Sequence, residues 1–88
     1  MRFSYDPAKA DSNLKKHGVS FADAEGVFKD PLAITVEDPD AAGERRLVAV
    51  GLGSAGEILV VVYAESDGRC RLISARRATR QERKTYES

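Results

Sequence analysis

Tryptophan is missing from this 88-residue chain, and cysteine, histidine and methionine occur once each. The lone thiol, Cys70, cannot close an internal disulfide, which excludes a disulfide scaffold and fits a protein of the reducing cytoplasm. No long apolar run is present either. The longest, from Ile58 to Ala64, falls far short of the ~20 residues a membrane helix needs. The opening Met-Arg-Phe-Ser-Tyr-Asp-Pro has no apolar stretch behind a basic cluster, so no signal peptide is expected. The carboxylates Asp38, Asp40 and Glu44 lack the regular ligand spacing of a calcium or zinc site, so neither a metal nor another cofactor is expected.

What the chain does have is 42% hydrophobic and 32% charged residues, the balance of a soluble globular protein. Its length predicts one compact domain over 1–88 with a small core, burying roughly 60–65% of the extended surface. The formal net charge of zero hides an asymmetry. From Arg69 to Ser88 seven basic residues face two acidic ones, a net of +5, and residues 1–68 carry the opposite −5. A neutral protein with one basic end points to a local anion site, with nucleic acid the leading ligand class.

Phe3 and Tyr5 alternate with polar neighbours as a short strand. Asp6-Pro7 then begins a helix that should stop near His17, where Gly18 suits a left-handed C-cap. Ser20 with Asp23 starts a second helix whose stripe is Phe21, Ala24, Val27 and Phe28, and Pro31 ends it. Four strands follow, at Leu32 to Val36, Arg46 to Gly51, Ile58 to Glu65 and Arg69 to Ala75, linked by turn residues and so expected to pair as an antiparallel meander. Ile58 to Val62 is apolar on both faces and reads as a central strand. Thr79 and Glu82 make a capping box for a short last helix from Arg80. The expected architecture is α+β in the order βααββββα, with helices on one face of an antiparallel sheet and an acidic loop from Glu37 to Glu44.

Gly51-Leu-Gly-Ser-Ala-Gly56 has the spacing of a dinucleotide-binding fingerprint, but a strand follows it where that motif needs a helix, so it reads as a hairpin loop. Asp6, Lys9, Asn13 and His17 share one helical face, with Ala10 and Leu14 on the other side. Either that face is solvated, with His17 favoured by the helix C-terminus, or His17 supplies an acid or base. Strict alternation along the last strand sends Arg69, Arg71, Ile73, Ala75 and Arg77 one way and Cys70, Leu72, Ser74 and Arg76 the other. Arg76 and Arg77 before a helix N-terminus form a candidate phosphate site, since guanidinium forks bind phosphate bidentately; the alternative is ion pairing with the acidic loops. Tyr86 either packs the last helix onto the sheet or stacks on a base. Cys70 reads as a buried strand residue.

Tyr5-Asp-Pro-Ala-Lys9, Asn13-Leu-Lys-Lys-His-Gly-Val-Ser-Phe21, Val27-Phe28, Asp30-Pro31 and Arg71-Leu-Ile-Ser-Ala-Arg-Arg-Ala-Thr79 with Glu82-Arg83 and Tyr86 together resemble the BrnT family of toxins. The resemblance covers nearly the whole chain and implies a RelE-like fold and a ribonuclease that arrests translation. It implies neutralisation by a BrnA-type antitoxin with a ribbon-helix-helix part, a two-plus-two complex, and operator DNA reached only through that antitoxin. RNA, on or off the ribosome, is the expected substrate, and no membrane is involved. Combined with the residue reading, it suggests metal-independent cleavage through attack of the ribose 2′-oxygen. The expected catalytic set is Arg71, Arg76 and Arg77 on the phosphorane, His17 as acid or base and Lys16 as electrostatic help, with Lys9, Asn13, Arg80, Arg83 and Tyr86 binding RNA. The rival reading is a small basic module that binds RNA or a partner without chemistry.

Overall fold

A computed structural model describes residues 2–38 and 44–88. The order is β1 (Arg2–Ser4), α1 (Pro7–His17), α2 (Phe21–Glu25), a 3₁₀ turn (Gly26–Lys29), β2 (Ile34–Glu37), β3 (Arg46–Leu52), β4 (Ile58–Ser66), β5 (Arg69–Arg77) and α3 (Arg80–Glu87). The expected element order therefore holds. The acidic loop expected from Glu37 to Glu44 lies, for residues 39–43, outside the described residues.

Local chemistry sets the helix ends. The Asp6 carboxylate accepts from the Ala8 amide at 2.9 Å with Pro7 in the first turn, and Gly18 closes α1 at φ 70°, its amide donating to the Leu14 carbonyl at 2.8 Å. Ser20 caps α2 through the Asp23 amide at 3.1 Å. Gly26 is required by a close approach: a Cβ there would lie 2.4 Å from the Ser54 backbone nitrogen, so the β3–β4 hairpin can rest on α2 only over a glycine.

The sheet order is β1-β5-β4-β3-β2, with β4 central as its two-sided apolarity predicts. Strands β2 to β5 form the expected antiparallel meander, but β1 lies parallel to β5, with Phe3 opposite Cys70, so the sheet is mixed. Meander rules connect sequence neighbours and say nothing about a short N-terminal strand reaching the far edge. Strand β2 starts later than expected, because Asp30 accepts from the Leu32 amide at 2.9 Å and holds that segment as a turn.

The core lies between the sheet and α1–α2: Val19, Phe21, Ala24, Val27, Leu47, Ala49, Leu59, Val61, Tyr63, Cys70, Leu72 and Ala75. Phe28 joins it through Phe3 and Tyr63, at ring separations of 5.0 and 4.8 Å. Burial pushes the Cys70 thiol up to about 11, which makes it an inert strand residue.

Helix α3 packs on the opposite face, correcting the expectation that all helices share one side. Ile34, Val50, Val60 and Arg76 stand abreast across four strands on that face, and α3 brings Gln81, Glu82 and Thr85 against them. No residue of α3 is buried, so a helix of eight residues depends on polar ties. Its capping box is complete, Glu82 grips Arg76, and Tyr86 donates a short hydrogen bond to Asp30.

One irregularity decides where the arginines go. Val62 pairs with Ser74 but Tyr63 pairs with Leu72, so Ile73 is an extra residue in β5, a β-bulge. Beyond it the alternation reverses: Cys70, Leu72 and Ala75 all face the α1–α2 core, and Arg77 follows them. Arg71 and Arg76 share the other face, which corrects the expected grouping of Arg71 with Arg77.

Candidate active-site cleft

Arg77 ends β5 beneath the C-terminus of α1. Its Nη1 donates to the His17 carbonyl at 3.0 Å, and its Nε donates to the Glu57 carboxylate in a short ion pair. Two of its five N–H donors are engaged by these bonds, and the others can meet an anion. The guanidinium lies so close under α1 that a Cβ on Gly18 would be 3.3 Å from Nη1. Helix α1 thus ends on the arginine it helps to hold.

This end of the sheet carries an open cleft of about 280 Å³. It is lined by Gly56, Glu57 and Ile58 of the β3–β4 hairpin, Arg77 and Ala78 at the end of β5, and Arg83 and Glu87 of α3. The glycine segment that mimics a dinucleotide fingerprint is indeed a hairpin loop. It holds Glu57 in place: the Gly53 amide donates to the Glu57 carbonyl at 2.8 Å, and the Ser54 amide ties the loop to the Asp23 carbonyl of α2 at 3.0 Å.

Of the expected site residues, Arg77 and Arg83 share this cleft and the His17 carbonyl accepts from Arg77. Arg80 sits three residues before Arg83 on the same face of α3. Lys16 is exposed beside His17, and Lys9 is exposed two turns back, about 12 Å along the helix.

The structure places the others elsewhere. Asn13 is interior, only 6% exposed: its Nδ2 donates to the Val19 and Ala75 carbonyls at 2.9 and 2.8 Å, and its Oδ1 accepts from the Ala75 amide at 3.0 Å. It clips α1 to β5 and faces no solvent, so it is not available to contact RNA. Leu14, on the side away from the polar stripe, is 49% exposed. The inward face of α1 is therefore the one carrying Asn13 and the half-buried His17.

Arg76 points to the opposite face, where Nη1 and Nη2 donate to both Glu82 oxygens at 2.8 and 2.9 Å. This fork holds the Glu82 carboxyl down at about 2, the Arg76 hydrogen bonds being the largest cause and the Thr79 amide the next. Glu82 and Thr79 also fill the capping box, so the N-terminus of α3 does not present the Thr79 and Glu82 amides to a phosphate as expected. Tyr86 takes its packing role: its hydroxyl bond and two backbone amides hold the Asp30 carboxyl below the usual range.

Arg71 lies six residues before Arg77, about 20 Å along the strand. There it pairs with Glu44 in a larger open depression of about 530 Å³ that includes Arg45, Glu65 and Arg69. Arg71, Arg76 and Arg77 therefore cannot meet at one phosphate. Sequence reasoning missed Glu57 altogether, because it follows a glycine loop that carries no chemical signature.

Two arginines and two carboxylates thus line one cleft at the end of a small mixed α+β sheet. The 1.1 Å crystal structure of the Brucella abortus ribonuclease toxin BrnT superposes with a TM-score of 0.69 at 28% identity, over 91% of this chain and 99% of that one. The family described as the ribonuclease toxin BrnT of type II toxin–antitoxin systems matches residues 5–82. The chain belongs to the BrnT family, and so to the toxins that work against an antitoxin partner. A search of curated protein sequences gives no match. Among the described residues no helix is long and apolar enough to cross a membrane.

Proposed function

We propose that this protein is a cytoplasmic ribonuclease toxin, one RelE-like catalytic unit over residues 1–88, that cuts RNA in the Arg77 cleft without a metal. The reading rests above all on Arg77, a guanidinium with unused donors fixed between a carboxylate and the end of α1. Attack of the 2′-oxygen on the adjacent phosphorus makes three demands: a proton must leave the 2′-hydroxyl, the phosphorane must be stabilised, and the 5′-oxygen must be protonated. Arg77 answers the second, and a preorganised donor of this kind is worth ~10²–10³-fold. His17, rooted in backbone that touches Arg77, is the proton donor in this scheme, with Lys16 adding positive charge. Arg83 and Arg80 on α3, with Lys9 on α1, hold flanking phosphates.

The division of β5 into two basic ends favours a second assignment. The depression around Arg71, Arg69 and Arg45 serves an extended RNA backbone or an acidic segment of the antitoxin rather than the scissile phosphate. The antitoxin is BrnA-like with a ribbon-helix-helix part, forms a two-plus-two complex with the toxin, and reaches operator DNA for the pair. The test is incubation of purified protein with RNA in chelator, with and without ribosomes. Cleavage that leaves a 2′,3′-cyclic phosphate supports the reading. Intact RNA under both conditions would make the chain a binding module.

A further inference from the structure

We infer that Glu57 is the catalytic base that takes the proton from the 2′-hydroxyl, an inference that deepens, and rests on, the ribonuclease reading. Three observations converge on it. Its carboxylate is in direct contact with Arg77 Nε, so a phosphate held by the remaining guanidinium donors lies beside it. The 2′-hydroxyl is the substrate group adjacent to that phosphate, and an ionised carboxylate can only accept a proton from it. Glu57 also lines the same cleft and is exposed, on backbone fixed by the Gly53–Glu57 and Ser54–Asp23 hydrogen bonds.

The competing carboxylate in the cleft, Glu87, is the last residue of α3, one turn from Arg83, in the part of a helix that frays first. Glu57 has the rigid support a base requires. His17 then keeps the single task of acid.

The step balances without a further reactant. The 2′-O–H bond breaks and its proton goes to Glu57. The O2′–P bond forms, the P–O5′ bond breaks, and the departing 5′-oxygen takes a proton from the His17 imidazolium. The products are a 2′,3′-cyclic phosphate and a 5′-hydroxyl, and solvent exchanges the two protons back.

The experiment is single-turnover cleavage of an RNA oligonucleotide by the wild-type protein and by Glu57→Gln, Glu57→Asp and Arg77→Ala, across pH 4 to 9, with binding measured on a 2′-O-methyl analogue. Glu57→Gln is expected to slow cleavage by about 10²-fold or more, to change affinity by less than about threefold, and to remove the rise in rate on the acid side of the profile. Glu57→Asp should recover part of the rate and that acid limb. Wild-type rate and profile in Glu57→Gln, with Arg77→Ala inactive, would overturn the assignment and leave the ribonuclease reading standing. Equal losses of rate and affinity would reduce Glu57 to an ion-pair partner and also overturn it. No cleavage by the wild type, with or without ribosomes, would remove both readings together.

Discussion

The two ends of β5 look alike in sequence and differ in what they can do. At the Arg71 end the guanidinium pairs with Glu44 beside Arg69 and Arg45, on the sheet face away from the main core. At the Arg77 end it lies on the core side, under the last turn of α1 and against a hairpin that rests on α2. At the second, the guanidinium is held by both a helix terminus and a hairpin carboxylate. Electrostatic stabilisation of a transition state depends on such preorganisation more than on the number of charges present. Counting arginines therefore locates a basic segment but not an active site.

The bulge sets how the two ends face, and a one-residue register change that it cannot absorb should have the largest effect. Deleting Arg76, beyond the bulge, turns Arg77 onto the α3 face, whereas deleting Ile73 removes only the extra residue and leaves Cys70, Leu72, Ala75 and Arg77 all facing the core. The Arg76 deletion is expected to abolish RNA cleavage, and the Ile73 deletion to keep a cooperative thermal transition in circular dichroism. Next comes the direct contrast in activity. Arg77→Ala should lower RNA cleavage by ~10²–10³-fold, whereas Arg71→Ala, a half-exposed ion pair, should change it by less than about threefold.

A smaller effect concerns the clip that holds α1 on the Arg77 end. Asn13→Ala leaves the Ala75 amide and two buried carbonyls without their side-chain partner, a loss of about 2–4 kcal/mol in denaturant unfolding. The smallest is confined to α3. Because the folded Glu82 carboxyl is depressed from 4.5 to about 2, its contribution is complete above about pH 4.5 and disappears as pH falls through 2. After allowance for solvent screening that contribution is about 2 kcal/mol. Glu82→Gln should flatten the acid side of the stability curve between those values, as read by urea midpoints at successive pH.

Much of the fold can be read from the chain because its signals are local. Asp6-Pro7, Gly18, Ser20 and Thr79 with Glu82 mark helix ends by their own hydrogen-bond chemistry, and each cap forms as read. Alternating β-branched runs mark the meander. What escapes is non-local. The parallel pairing of Phe3 with Cys70 joins residues 67 positions apart, and nothing in either segment specifies it. The bulge at Ile73 leaves no mark on composition, yet it exchanges the partners of every arginine beyond it. Asn13 shows the same limit on a helix: spacing groups it with Lys9 and His17, but only the path of β5 turns that amide inward onto Ala75. Of the candidate site, Arg77, Arg83 and His17 stand out in the sequence by motif and charge. Glu57 does not, since its contact with Arg77 comes from where a glycine hairpin lands.

The central claim is that a scissile phosphate binds at the Arg77 end and not at the Arg71 end. Titration of the isotopically labelled protein with a 2′-O-methyl RNA oligonucleotide, followed by backbone and arginine side-chain resonances, tests it directly. The account predicts the largest shifts at Gly56, Glu57, Arg77, Ala78 and Arg83, lost in Arg77→Ala. Dominant shifts at Arg69, Arg71 and Arg45 that persist in Arg77→Ala would contradict it.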